Sequence, residues 1–243
     1  MDPRLKEIAD NYDSWKIGLD DSFQFHCTEC GKCCINRDDI LLTPRDLFRA
    51  AAALKMHPVE FAKKYCETYI GQDSRIPIVR LKPQGSIRRC PLLKDRRCSI
   101  HAAKPGVCAM FPVGRAIAID KTSYNEQGVL KSQIQFIINP VSCGDRSESH
   151  TVREWLTSLG IDPEDSFFLK WHSFISEASA FIHKIESRFS EEGMSAVWTT
   201  IYIHAYLDYD PNKDFMEQFD KNMDQLMKPI RETGKNLEAV VDE

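Results

Sequence analysis

The chain has 243 residues, of which 42% are apolar and 28% charged, with a net charge of −4 and nine cysteines. That length buries a hydrophobic core without help from a metal and fits one large domain or two small ones. The mild acidity removes any global electrostatic case for nucleic acid, no apolar run reaches the roughly 18 residues that cross a bilayer, and the polar start MDPRLKEIADNYDSWK lacks the apolar core of a signal peptide. The expected compartment is the cytoplasm, where thiols stay reduced and clustered cysteines read as metal ligands or redox centres.

In chain order, residues 1–20 read as a short helix and a loop, with Leu5, Ile8, Ala9 and Tyr12 at helical spacing. The cysteine-rich stretch HCTECGKCC follows at 26–34. In LLTPRDLFRAAAALKM, Thr43 is placed to cap a helix, Pro44 takes its first position, and Leu47, Ala50, Ala51 and Leu54 form one face. HPVEFAKKYCETYI starts a second helix with Val59, Ala62, Tyr65, Cys66 and Tyr69 on its apolar face, completing a helical hairpin. IPIVRLKP alternates like a strand, and Gln84-Gly85-Ser86 reads as a turn. GRAIAID (114–120) and KSQIQFIIN (131–139) read as two more strands, joined by a polar loop with Asn125 and Gly128. From 151 the pattern is helical. Phe167, Trp171, Phe174, Ile175, Ala178, Ile182, Ile185 and Phe189 form a broad stripe, MSAVWTTIYIHAYL reads as a buried helix, and PNKDFMEQFDKNMDQLMKPI starts from an Asp210 cap with Pro211 as its first helical residue. The last ten residues are polar and expected to fray.

Cys27, Cys30 and Cys33 form a C-x2-C-x2-C pattern whose short spacers let one turn aim successive thiolates at one centre, with Gly31 supplying the backbone freedom. Cys34 is awkward, because adjacent side chains diverge along an extended chain or a helix. The pair is therefore expected to serve two neighbouring centres or one polynuclear cluster. Cys90, Cys98, Cys108 and Cys143 raise the candidate ligands to eight, and Cys66, on an apolar helix face, reads as an inert core residue. One compact triplet plus single cysteines with 7, 9 and 34 residues between them is more like cluster ligation than paired zinc knuckles. An iron–sulfur cluster is therefore the first reading and zinc the alternative, with metal-free redox thiols third.

CTECGKCC, LTPRDLFRAAAALKMHPVEFAKKY, CPLL and CSIHAAKPGVCAMFP together resemble the CxxCxxCC cysteine-cluster family, the YkgJ-type zinc- or iron-chelating domains, over about residues 25–145. The resemblance implies metal chelation and leaves the reaction open. His101 and Lys104 stand where the family usually has an aromatic and an arginine. The flagellin lysine N-methylase carries a similar cysteine motif, so S-adenosylmethionine-dependent methyl transfer to protein lysine is a further reading by analogy. No Gly-rich strand-to-helix motif accompanies it, and no hydrolase or kinase signature is present.

Arg75, Arg80, Lys82, Arg88, Arg89, Lys94, Arg96 and Arg97, against Asp95 alone, make the 75–97 segment a candidate dock for an acidic protein partner or an anionic substrate. Nucleic acid is disfavoured there because no aromatic residues interleave the run. His26 and His101 read as supporting or surface residues beside the thiols. DYDPNKD (208–214) lacks the glycine and final glutamate of a calcium loop. The expected architecture is α+β: a lead-in over 1–20, a cysteine-cluster domain over 21–150 with a small antiparallel sheet and the helical hairpin around the metal site, and a helical region over 151–243.

Overall fold

The computed structural model describes residues 3–37, 39–117 and 134–239, with side chains for 6–37, 39–117 and 134–233. Its elements begin α1 (Pro3–Trp15), β1 (Lys16–Ile17), β2 (Ser22–His26), α2 (Pro44–Ala53), α3 (Pro58–Tyr65), β3 (Cys66–Ile70), β4 (Pro77–Leu81), β5 (Leu93–Lys94) and β6 (Arg97–Cys98). They continue with α4 (Gly106–Ala109), β7 (Val113–Ile117), β8 (Ile134–Ile138), β9 (Asp145–Thr151), α5 (Val152–Ser158), α6 (Ser166–Ile185), α7 (Glu191–Tyr202) and α8 (Phe215–Ala239). The class is α+β. The loop carrying Asn125 and Gly128, and the outer ends of the two strands flanking it, lie outside the described residues.

The chain divides into two units, 1–37 with 84–169 and 38–83 with 170–243. The division is not contiguous in sequence. The helical hairpin, expected beside the cysteines, belongs with the C-terminal helices instead.

In the first unit, β8 is the centre of a three-stranded antiparallel sheet, ordered β1-β8-β7. A separate ribbon pairs β2 with β9, Phe23 opposite His150. Alternation in SFQFH turns Phe23 and Phe25 inward, where they pack with Met110, Val113, Phe136, Val152 and Leu156. Trp155 meets both phenylalanines edge-on and donates its indole N–H to the Met110 carbonyl at 2.8 Å. α5 begins in a capping box formed by Thr151 and Glu154.

In the second unit, α2 has the cap its sequence calls for. The Thr43 hydroxyl accepts from the Asp46 amide, the Asp46 carboxylate accepts from the Thr43 amide, and Pro44 holds the first turn. The helix expected to run on through Tyr69 stops at Tyr65. Residues 66–70 form β3, paired from Cys66↔Leu81 to Ile70↔Pro77 with β4. PIVRL offers a β-branched partner strand, and that pairing prevails over helix continuation. Cys66 is buried at the start of this strand.

The expected stripe on α6 is buried at Phe167, Trp171, Phe174, Ala178, Ile182 and Ile185, while Phe189 is exposed. The segment 194–207, read as one buried helix, runs through α7 into a π-helical turn over Ile203–Leu207 and buries Met194, Ile201, Ala205 and Tyr206. The last helix starts at Phe215 rather than Pro211. Asp210 binds the Asn212 amide in a turn, and Asp214 accepts from the Glu217 amide as the actual cap. No described helix is long and apolar enough to cross a membrane.

Candidate metal centre

All eight candidate ligand cysteines lie in the first unit and Cys66 lies in the second. None is in a disulfide. Cys66 is buried, with its thiol pushed up to about 12 by desolvation, which suits a core residue. Cys27 is exposed and the other seven in the first unit are partly buried.

Gly31 takes a left-handed conformation, φ 71°, and opens a single 3-10 turn over Lys32–Cys34. A side chain there would press on the Arg96 carbonyl oxygen at 3.2 Å. The strand of backbone that follows runs beside residues 87–90: the Asn36 amide donates to the Ile87 carbonyl at 3.0 Å and the Cys90 amide to the Cys34 carbonyl at 2.8 Å. The Leu93 amide closes a turn onto the Cys90 carbonyl, and Leu93 pairs with Cys98 across the β5–β6 hairpin. Backbone hydrogen bonds thus link the positions of Cys34, Cys90 and Cys98. On the other side, His26 pairs with Asp145 between β2 and β9. Gly144, φ 68°, lies so close that a Cβ would stand 2.5 Å from the His26 carbonyl oxygen. This contact sets Cys143 beside the Cys27–Cys30 loop.

Cys33 joins the two sides. Its sulfur lies 4.0 Å from that of Cys34. The Cys33 thiol is lowered to about 6 by its hydrogen bond with Cys34 and by the cations Arg37 and Lys104, while Cys34 is raised by that bond and by burial. Burial raises Cys90 and Cys108, and it raises Cys143 to about 11 with help from the charges of Cys33, Cys30 and Cys27. Backbone amides of Lys32 and Gly144 lower Cys30. Cys108 feels Cys90, Cys33 and Cys98. Cys33 acts on Cys30, Cys34, Cys90, Cys108 and Cys143, while Cys27 acts on Cys143, and Cys98 on Cys90 and Cys108.

Two functional residues escape a reading of the sequence. Arg37 donates to the Cys33 carbonyl at 3.3 Å and brings its charge to Cys33 and Cys108. Lys104 also brings its charge to Cys33. A base at a position where the family resemblance also has a base was the available signal. The histidines turn to carboxylates: His26 lies 3.4 Å from Asp145 and His101 3.8 Å from Glu29.

The donor chemistry fits a thiophilic metal. Among the described residues, no group of three or more such side chains already converges on one point. The Cys33–Cys34 pair comes nearest. Four sulfurs about 2.3 Å from an ion define a tetrahedron with an edge of about 3.8 Å, close to the 4.0 Å observed. Adjacency therefore does not force the pair onto separate centres, as a straight strand or helix would.

Residues 26–144 match the model of the CxxCxxCC family, described as "putative zinc- or iron-chelating domain". Over that span, just under half of its length, the chain is similar to that family. An uncharacterised protein of Methanocaldococcus jannaschii, MJ0661, is 32% identical over 90 residues, which are 36% of this chain and 44% of that relative. The match thus spans under half the relative's length. No solved structure matches the chain. The family match supports zinc or iron chelation by this segment, and the eight cysteines and Arg37 all fall inside 26–144.

Proposed function

We propose that the domain holds an iron–sulfur centre through Cys27, Cys30, Cys33, Cys34, Cys90, Cys98, Cys108 and Cys143, and that it carries or senses electrons. The observation that supports this reading is the segregation of the cysteines: eight thiols gather in one unit, and the ninth is buried in the other. Clusters are held by thiolates alone, and this set needs no histidine or carboxylate. When bound, such a centre supplies one-electron exchange. The chain's own residues orient the thiols, partly bury Cys90 and Cys108, and offset thiolate charge with Arg37 and Lys104.

Zinc is the second reading, favoured by one observation. The Cys33–Cys34 separation approximates the edge of a single tetrahedral site. In that case the domain is a metal-stapled interaction module. Methyl transfer draws no support from the described residues.

Anaerobic purification, followed by metal and acid-labile sulfide analysis, tests the proposal. Iron with sulfide and absorbance at about 400 nm is the expected result. Zinc without sulfide would overturn it in favour of the staple.

A further inference from the structure

The basic 75–97 run is divided between the two units, 75–83 in the second and 84–97 in the first. Arg75 forks onto Glu186, and Arg80 pairs with Glu67 at 2.7 Å, both inside the second unit. What remains in the first unit is residues 84–98, where Arg88, Arg89, Lys94, Arg96 and Arg97 outnumber Asp95 and where Arg97 lies 3.7 Å from Glu29 of the cysteine loop.

These cations sit on two small hairpins. In the first, Gln84 bridges Arg89 around a tip of Gly85, Ser86, Ile87 and Arg88. The second is β5–β6, with Asp95 and Arg96 at its tip. Both are fixed to the cysteine loop. Asn36 and Arg37 donate to the Ile87 and Arg88 carbonyls, and the Arg96 carbonyl packs on Gly31. Arg88 (φ 44°), Asp95 (φ 47°) and Arg96 (φ 64°) occupy the left-handed region. Glycine or asparagine would sit there more cheaply, so the turns keep charged side chains at a conformational cost. Ile87, at the first tip, is 52% exposed.

Arg37 and Lys104 are the cations that lower Cys33. Among the described residues no ion pair holds Arg89, Lys94 or Arg96, and all three are exposed. Nor does the surface suit RNA. Among the described residues of the first unit, the exposed large apolar side chains are the aliphatic Ile87 and Val107, with no aromatic platform for bases.

We infer that the two hairpins, 84–89 and 93–98, form a docking surface for an acidic protein, placing it beside Cys33, Cys34, Cys90 and Cys98. Arg89, Lys94 and Arg96 steer the partner, and Ile87 supplies the apolar contact at the centre. That this partner exchanges electrons rests on the iron–sulfur reading above. The surface itself does not.

The test uses the full metal-loaded chain, with fluorescently labelled poly-L-glutamate and poly-uridine as probes. Poly-glutamate should bind more tightly than poly-uridine, and binding should weaken as salt rises. The triple variant Arg89→Glu, Lys94→Glu, Arg96→Glu should weaken it about tenfold or more, with metal content unchanged as evidence of folding. The double variant Lys63→Glu, Lys64→Glu, on exposed residues of α3 in the second unit, should bind as wild type. Equal binding by the triple variant, or a preference for poly-uridine, would overturn the inference. Metal and sulfide are assayed on the same samples, so zinc without sulfide defeats the electron-transfer reading while leaving the binding result to judge the surface. For iron-loaded protein, oxidation of the reduced centre by anionic ferricyanide should slow about tenfold in the triple variant, and by cationic hexaammineruthenium should quicken. Unchanged rates would count against the dock.

Discussion

The two units are stabilised by different means. The second is an apolar core in the ordinary sense, with Leu47, Phe61, Val79, Ile182 and Phe219 essentially sealed from solvent and with Trp171 stacked on Phe174. The first has a similar core around Phe23, Phe25 and Leu156, but the cysteine loops stand outside it. Residues 27–37 contain no buried side chain among those described. Of the seven described non-glycine residues with positive φ, five lie in the first unit: Glu29, Asn36, Arg88, Asp95 and Arg96. A strained loop with little apolar burial is not a stable element by itself. In the proposed reading, metal ligation supplies the missing free energy, and that would account for the domain's thiols better than core packing does.

Chelation should expose this contrast most strongly. Removing metal should raise hydrogen exchange in 27–37 and 84–109 by at least about a hundredfold, with exchange in α6 and α8 unaltered. Uniform acceleration in both units would dissolve the distinction. Next in size is Phe219→Ala, which should cost about 3–5 kcal/mol of stability by chemical denaturation yet leave metal content intact in the folded fraction.

The cysteines sharpen the same contrast. Cys34→Ser should lower bound metal, whereas Cys66→Ala should lower stability by about 1–2 kcal/mol with metal content unchanged. Metal loss in the Cys66 variant would show that the ligand set is wrong. In metal-free protein, Cys33 is a thiolate above about pH 6 and Cys66 stays a thiol until about pH 12. Iodoacetamide at neutral pH should therefore modify Cys33 well ahead of Cys66, as mass spectrometry of the digested peptides would report. The smallest effect is at the cap: Thr43→Ala should cost about 1 kcal/mol, confined to the second unit.

Where local chemistry decides the structure, the sequence was legible. Thr43-Pro44-Asp46 encodes a capping box, and Gly31 encodes the left-handed entry to the cysteine turn. It was less legible where a distant partner decides. CETYI can lie on a helix or in a strand, and only its pairing with PIVRL settles the matter. DRSESHT shows no apolar alternation, so β9 could not be foreseen. It pairs with β2 through the backbone while five of its seven residues stay exposed. Likewise, Asp210-Pro211 is a sound helix start, but Asp214 offers a second cap four residues later and prevails. In the site, cysteine identity named the candidates. Arg37 and the non-contiguous units needed the fold, because charge at a thiol depends on distance in space.

The central claim is that thiols of the first unit alone hold the metal. X-ray absorption at the iron and zinc edges of the full-length protein tests it most directly. The account predicts a shell of sulfur only, at about 2.3 Å, with an iron–iron scattering path and no zinc. Nitrogen or oxygen in the first shell would contradict it.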